Sequence, residues 1–413
     1  MNDARRVVIT GIGVVSPIGV GKKAFWTGLL EGKSGVKKIS SFDASTYPTQ
    51  IAGEVRDFDP IDFMSHKDAR RMDRSSQMIL AAAMMAVEDA DIKFGMDMSS
   101  VGVFTGTAVG GQAWAFREYD VFREKGIRRI NPFTAISTFP NASSAHISLK
   151  FGCKGPSDTI SSGCVSSTVA LGYALDNLRM GHVDVAFVGG TEAPLSPGLF
   201  GAYCAAHVMT PEVDSPTRVP RPFDLYRNGI VLSEGAAVLI CETLGHAIQR
   251  QARIYAEVGG WSHNSDSYSM MMLNPDGVQA KSVMCAAIAN ARISFEQIDY
   301  VQAHAPGAVA DDKIEAAALR DVFGVKIGVI PVVSIKSMMG HTQGACGVIE
   351  AAAAALSIHM ALIPRSINCD TVDPSCALRI NRCEILQTSI QGMLLNTFGF
   401  GGKNSSIVLR SIN

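Results

Sequence analysis

Apolar runs rich in Val and Ile, with little alternation of apolar and polar positions, recur along the chain and often end in glycine. They are VVITGIG (7–13), VGVFTG (101–106), VDVAFVGG (183–190), GAAVLICE (235–242), DYVQAHA (299–305), PVVSIK (331–336), GMLLNTFGFGG (392–402) and SSIVLRS (405–411). Such runs predict strands covered on both faces. Between them lie alanine-rich helical stretches. One spans 75–92, with Ser75 or Ser76 as its cap. Another spans 165–180 and is closed by Gly181, and a third spans 345–362 and is closed by Pro364. Alternating strands and helices predict an α/β protein. Helices this apolar and this rich in small residues belong between sheets, so a multilayer architecture is expected. The third helix approaches the length of a membrane span, but Glu350 and His359 interrupt it, and a buried core helix is the better reading. The chain divides into halves, 1–255 and 256–413, each opening with a strand and each holding an alanine-rich helix beside a potentially reactive residue. No Pro/Ser-rich linker separates them, so one fused body is expected.

Composition narrows the class. Of 413 residues, 47% are hydrophobic and 18% charged, which argues against disorder. Lys plus Arg is 37 and Asp plus Glu is 38, so 37 − 38 = −1. That balance gives no electrostatic reason to expect a nucleic-acid or membrane-surface protein. The nine cysteines are odd in number and form no C-x-x-C pair, so no disulfide framework is expected. The start, MNDARRVVITGIGVV, reads as an opening strand rather than a signal peptide, and a reducing cytoplasm is the expected home. No metal-ligand spacing is present, and TGIGVV lacks the third glycine of a dinucleotide fingerprint.

Four segments could carry chemistry. Cys164 follows Gly163 at the start of an apolar helix, where free N–H groups and the helix dipole can lower a thiol pKa and hold an oxyanion. A small core residue is the alternative. His304 ends a buried strand, where α/β proteins place functional groups, or is a satisfied core histidine. Lys336 and His341 stand five residues apart in SIKSMMGHTQGACG, costly to bury unless used or paired, or else part of a solvated loop. NTFGFGGKNSS (396–406) places three glycines around two phenylalanines, fitting close backbone approach to a ligand or a glycine-rich hairpin.

Together these segments resemble the β-ketoacyl-[acyl-carrier-protein] synthases, of the elongating kind found in fatty acid and polyketide synthesis. The likeness runs nearly end to end. RRVVITGIGVVSPIG is similar to the family's opening strand, and RPFDLYRNGIVLSEGAAVLICE to its central segment. Ser162-Gly163-Cys164-Val165-Ser166 matches the nucleophile motif, and His304 the first histidine. Lys336, Ser337, Gly340 and His341 match K-S-x-x-G-H, and Gly399 to Asn404 the late G-F-G-G-T-N loop.

The resemblance implies the thiolase fold: five layers, α-β-α-β-α, from two fused pseudo-repeated halves, normally dimeric. The nucleophile would lie in 1–255 and the two histidines in 256–413. Cys164 would hold the acyl chain. His304 and His341 would hydrogen-bond a malonyl thioester as it decarboxylates, and Lys336 would tune their charge. The backbone N–H groups of Cys164 and Phe400 would form the oxyanion hole, with the Phe400 ring as gate. Glu350 would support the site from behind, and Phe398, Gly401 and Gly402 would bind substrate. No cofactor of its own is implied, since phosphopantetheine arrives on the acyl carrier protein. A homodimer, or a heterodimer with a related chain, is expected.

The departures from the family pattern are local. Where the family has Gly-Thr-Ser-Thr-Pro, this chain has Ala305, Pro306, Gly307, Ala308 and Val309. Threonines that would bond the pantetheine arm are absent at 306 and 308, each neutral bond being worth roughly 0.5–1.5 kcal/mol. A dedicated pathway, more than housekeeping fatty acid synthesis, fits that loss. Two other functions remain open on sequence alone: a partner subunit of a heterodimeric synthase, or an acyltransferase that forms no C–C bond.

Overall fold

The computed structural model describes residues 5–93, 95 and 97–412. Its main strands are β1 (Val7–Ser16), β2 (Val101–Gly106), β3 (Ser157–Ile160), β4 (Val185–Glu192), β5 (Gly235–Thr243), β6 (Ala256–Ser265), β7 (Tyr300–Gln302), β8 (Val332–Val333), β9 (Gly392–Gly399) and β10 (Lys403–Arg410). With the short strand Gly19–Val20 on β1, they form one 11-stranded ladder in the order β3-β2-β4-β5-β1-β6-β10-β9-β7-β8. The join between β1 and β6 is only two residue pairs, Val8 with Glu257 and Ile9 with Ala256. On either side of that join the pattern repeats. The third, second, fourth, fifth and first strands of each half lie side by side in that order. The senses repeat as well: the second strand is parallel to the third and fourth, and the fifth is antiparallel to the fourth and first.

Five helices complete the layers: α1 (Arg74–Ala90), α2 (Ser166–Met180), α3 (Val278–Asn290), α4 (Val309–Phe323) and α5 (Cys346–Met360). α1 covers β1, β4 and β5 from outside, and α3 covers β6 and β10, with α4 beside it. α2 and α5 pack on each other and against strands of both halves, so they form the middle layer. This is the α-β-α-β-α arrangement of the thiolase fold. α5 is buried at every residue from Cys346 to Ile358, which explains its run of alanines. A Cβ on Gly347 would stand 1.9 Å from Thr168 Oγ1, so glycine is what allows the two central helices to touch. No helix among the described residues is long and apolar enough to cross a membrane.

Several element ends differ from the sequence expectation. α1 is capped by Asp73, whose side chain accepts from the N–H groups of Ser75 and Ser76, rather than by either serine. α5 stops at Ala361, in the left-handed conformation (φ 53°), before Pro364 is reached. Only Tyr300–Gln302 and Val332–Val333 of the runs 299–305 and 331–336 are ladder. Their remaining residues leave the sheet and enter the site.

Candidate active site

The site forms where α2 and α5 begin, beyond the ends of β7, β8 and β9. Cys164 stands two residues before α2, half-buried, after Gly163 in the left-handed region (φ 62°). Ser166 pins that turn: its hydroxyl donates to the Gly163 carbonyl at 2.6 Å, and its oxygen accepts from the Ser162 N–H at 2.9 Å. Cys164 Sγ lies 3.2 Å from His341 Nε2. A Cβ on Gly399 would come within 3.0 Å of the Cys164 Cβ, so this glycine lets β9 run against Cys164. The next residue, Phe400, directs its backbone N–H at the Cys164 sulfur.

The histidines are held by backbone as much as by side chain. The His304 and Ala305 N–H groups donate to the two oxygens of buried Glu315, at 3.0 and 2.8 Å. Asn396 Nδ2 donates to the same carboxylate at 3.1 Å. His341 donates its N–H to the Val231 carbonyl at 2.8 Å, and its own carbonyl accepts from the Ser233 N–H at 3.1 Å. The segment RPFDLYRNGIVLSEGA therefore acts as the cradle of the second histidine. The two imidazoles meet edge to face, 5.2 Å apart at 86°. The Phe398 ring packs against His304 at 5.9 Å. Lys336 is wholly buried; its Nζ donates to the His304 carbonyl at 2.7 Å and to the Glu350 carboxylate, which ties α5 to the first histidine. Neither histidine Nδ1 has a hydrogen-bond partner among the described residues.

Burial decides the protonation states. It lowers both histidines well below 6.5, and the Lys336 charge pushes each further down, so both rings are neutral at pH 7. Burial is the largest single influence on the Lys336 ammonium and opposes it, but the charge and hydrogen bond of Glu350, with Cys346 and Glu315, together raise the lysine above its ordinary value. The sequence expectation of a lowered thiol pKa at the helix start fails here. Burial pushes the Cys164 thiol up to about 12, against the opposing pull of Lys336 and the Phe400 N–H. Cys164 thus rests as a thiol beside a neutral imidazole.

Sequence reasoning missed two carboxylates, Glu315 and Glu192, and reads a third neighbour, Cys346, as structural packing. Glu315 orders the His304 turn. Glu192 ends β4 and accepts from Thr107 Oγ1 and from the N–H groups of Ala108, Val109 and Gly344; burial still lifts its carboxyl to about 7. Cys346 directs its thiol at the Cys164 carbonyl, 3.4 Å away. The available signal was a carboxylate embedded in an apolar run, as in VGGTE or KIEAAA, which is expensive unless satisfied. Gly401 and Gly402 take positive φ in the turn between β9 and β10, and their backbone bonds go to Met270 and Asp266. The altered loop is braced from below, Gly307 donating to Asp312 Oδ1 at 3.2 Å. On the surface, His66, Lys67, Arg70, Arg71 and Arg129 line one cleft.

Comparison with known proteins agrees along the whole chain. Residues 4–247 match the family described as "Beta-ketoacyl synthase, N-terminal domain", and residues 255–370 match its C-terminal domain. The 3-oxoacyl-[acyl-carrier-protein] synthase 2 of Coxiella burnetii is 37% identical over 411 residues, covering 99% of each chain. Among solved structures, the ishigamide ketosynthase/chain length factor superposes with a TM-score of 0.93 at 32% identity, over 99% of this chain and 100% of that one. A type II polyketide carrier protein in complex with its ketosynthase bound to the hexaketide gives a TM-score of 0.91 at 32% identity, with the same coverage. A cysteine before one central helix, a histidine before the other, and matches to both family halves lead to one assignment: this chain belongs to the β-ketoacyl synthases.

Proposed function

We propose that the chain condenses an acyl group held on Cys164 with malonyl-acyl-carrier-protein, losing CO₂ and giving a 3-oxoacyl-carrier product for fatty acid or, by preference, specialised polyketide synthesis in the cytoplasm. The observation that carries this reading is Cys164 Sγ at 3.2 Å from His341 Nε2 with the His304 ring beside it. As sulfur attacks the acyl thioester, His341 takes the thiol proton. The N–H groups of Cys164 and Phe400 receive the oxyanion. The pantetheine thiolate leaves and recovers that proton. Malonyl thioester then enters, and N–H donors of the neutral imidazoles take its thioester oxygen. The carboxylate carbon–carbon bond breaks, CO₂ departs, and the enolate carbon attacks the acyl carbonyl. The C–C bond forms, the Cys164 thiolate is expelled, and a solvent proton restores the thiol. Lys336, bound to the His304 carbonyl and to Glu350, holds His304 in place and keeps both rings neutral. Phe400 serves as gate, and Phe398, Gly401 and Gly402 shape the approach.

The repeated strand order supports a division at Tyr255, with the nucleophile half before it and the histidine half after it. The basic cleft at His66, Lys67, Arg70, Arg71 and Arg129 suits an acidic carrier protein. β3, an edge strand, and the exposed Phe116, Phe122 and Phe139 suit a dimer partner, either a second copy or a related chain. Intact-protein mass spectrometry with acyl- and malonyl-carrier substrates tests the reading. Acyl mass on Cys164, CO₂ release and loss of both in Cys164→Ala are expected. An ester or amide product without CO₂ would overturn condensation.

A further inference from the structure

We propose that a cleft far from Cys164 binds an organic di- or triphosphate, held by Arg179 and Arg292. The cleft opens where α2 and α3 end and β1 and β6 begin, and its volume is about 930 Å³, within the range of small-molecule sites. α2 has 15 residues, so at about 1.5 Å per residue its far end stands roughly 22 Å from the end that carries Cys164. This cleft is separate from the condensing centre and stands whether or not condensation does.

Five arginines line it, Arg5, Arg6, Arg179, Arg292 and Arg410, against two carboxylates, Asp176 and Glu257. Glu257 is buried and already shared: one oxygen accepts from Arg6 and the other from Arg410, at 2.9 and 2.6 Å. Asp176 accepts from Trp261 Nε1 at 3.1 Å, and Arg5 pairs with Asp184 at 3.1 Å. Arg179 and Arg292 are left with no carboxylate at ion-pair distance among the described residues. Arg179 reaches only neutral acceptors, Asn290 Oδ1 at 3.2 Å and the Gly259 carbonyl at 2.6 Å. The Nε atoms of Arg179 and Arg410 are buried without a hydrogen-bond partner, so donors outnumber acceptors here. Burial disfavours the Arg179 charge, and Arg292 and Arg410 add to that against the pull of Asp176 and Glu257. Arg292 closes α3 at φ 54°, the left-handed position where glycine is usual, so its side chain stands there at a backbone cost.

A partly buried guanidinium without a counter-charge is costly, and an anion brought to it removes that cost. Guanidinium forks match phosphate oxygens two at a time. Two unpaired cations call for at least two negative charges on the ligand. A single small ion would fill little of the cleft, and the exposed Met180 and Ile248 on its wall offer apolar surface to an organic group.

Isothermal titration calorimetry of ATP into the full-length enzyme at fixed ionic strength tests the site, with pyrophosphate and adenosine as companion probes. ATP should bind with a Kd on the order of 10 µM, pyrophosphate more weakly, and adenosine not at all. Arg179→Gln and Arg292→Gln should each weaken ATP by about tenfold or more. Arg292 is exposed, so its replacement keeps the fold even if that of Arg179 does not. Arg70→Glu with Arg129→Glu, in the other basic cleft, should leave ATP binding as it is in the native enzyme. No heat up to millimolar ATP would overturn the site. So would binding that survives both cleft substitutions, or binding that is lost in Arg70→Glu with Arg129→Glu. Adenosine binding as tightly as ATP would overturn the phosphate assignment, and pyrophosphate doing so would overturn the part given to the apolar wall. Acyl transfer is not the readout, so failure here leaves the condensation reading standing.

Discussion

Cys164 and His341 share one proton between two groups that both prefer to be uncharged in this surrounding. Below pH 6.5 an ordinary histidine would gain a proton and lose its power to accept one from the thiol. His341 is lowered well below that value by burial and by Lys336, so acylation should persist through pH 6 and fail only at lower pH. A kcat/KM profile against pH would show an acid limb near 6.5 if this were wrong. The same shift acts on stability. The unfolded chain binds protons on these histidines near 6.5 while the folded chain does not, so their contribution is complete above 6.5 and declines as pH falls through it. Urea unfolding at pH 7 and pH 5 should show the loss. Lys336 and Glu350 give a second expectation. Glu350→Leu alone leaves a buried ammonium unpaired and should cost about 3–5 kcal/mol, while Lys336→Met with Glu350→Leu should recover much of it. The cluster of Cys164, His304, Lys336 and His341 was legible because each sits in a short local motif. Glu192 and Glu315 were not, because their partners lie on separate segments. The Cys164 protonation state was misread because desolvation exceeds the partial charge of a helix end.

Elements were readable where apolar runs were long, as in β2, β5, α2 and α5. β3 was missed because SDTI is short, polar and at a sheet edge, with no apolar signal to find. β7 and β8 were drawn too long because their sequences stay apolar after the last ladder bond. The glycines that place elements against each other carry two further predictions. Gly347→Ala would force its Cβ into Thr168 and should destabilise the fold by about 1–3 kcal/mol, measurable by denaturant unfolding. Gly399→Ala would press on Cys164 itself. It should lower acylation kcat/KM by on the order of a hundredfold while the unfolding midpoint moves little, because a misplaced nucleophile costs rate before it costs stability.

Across the whole molecule, a formal charge of −1 conceals a local basic cleft. Arg70→Glu with Arg129→Glu should raise KM for a carrier-bound substrate by on the order of tenfold at low salt, and the gap should narrow as salt screens the contact. The fused body was legible from the missing linker, while the repeated strand order emerged only from the pairing of distant segments. At the centre of that body, the Lys336 ammonium is already satisfied by Glu350 and a carbonyl, and the two imidazoles beside it carry no charge. A malonyl carboxylate brought there finds no counter-ion to reward it for staying ionised. Departure as an uncharged gas removes the mismatch, so the pocket drives decarboxylation in part by what it withholds.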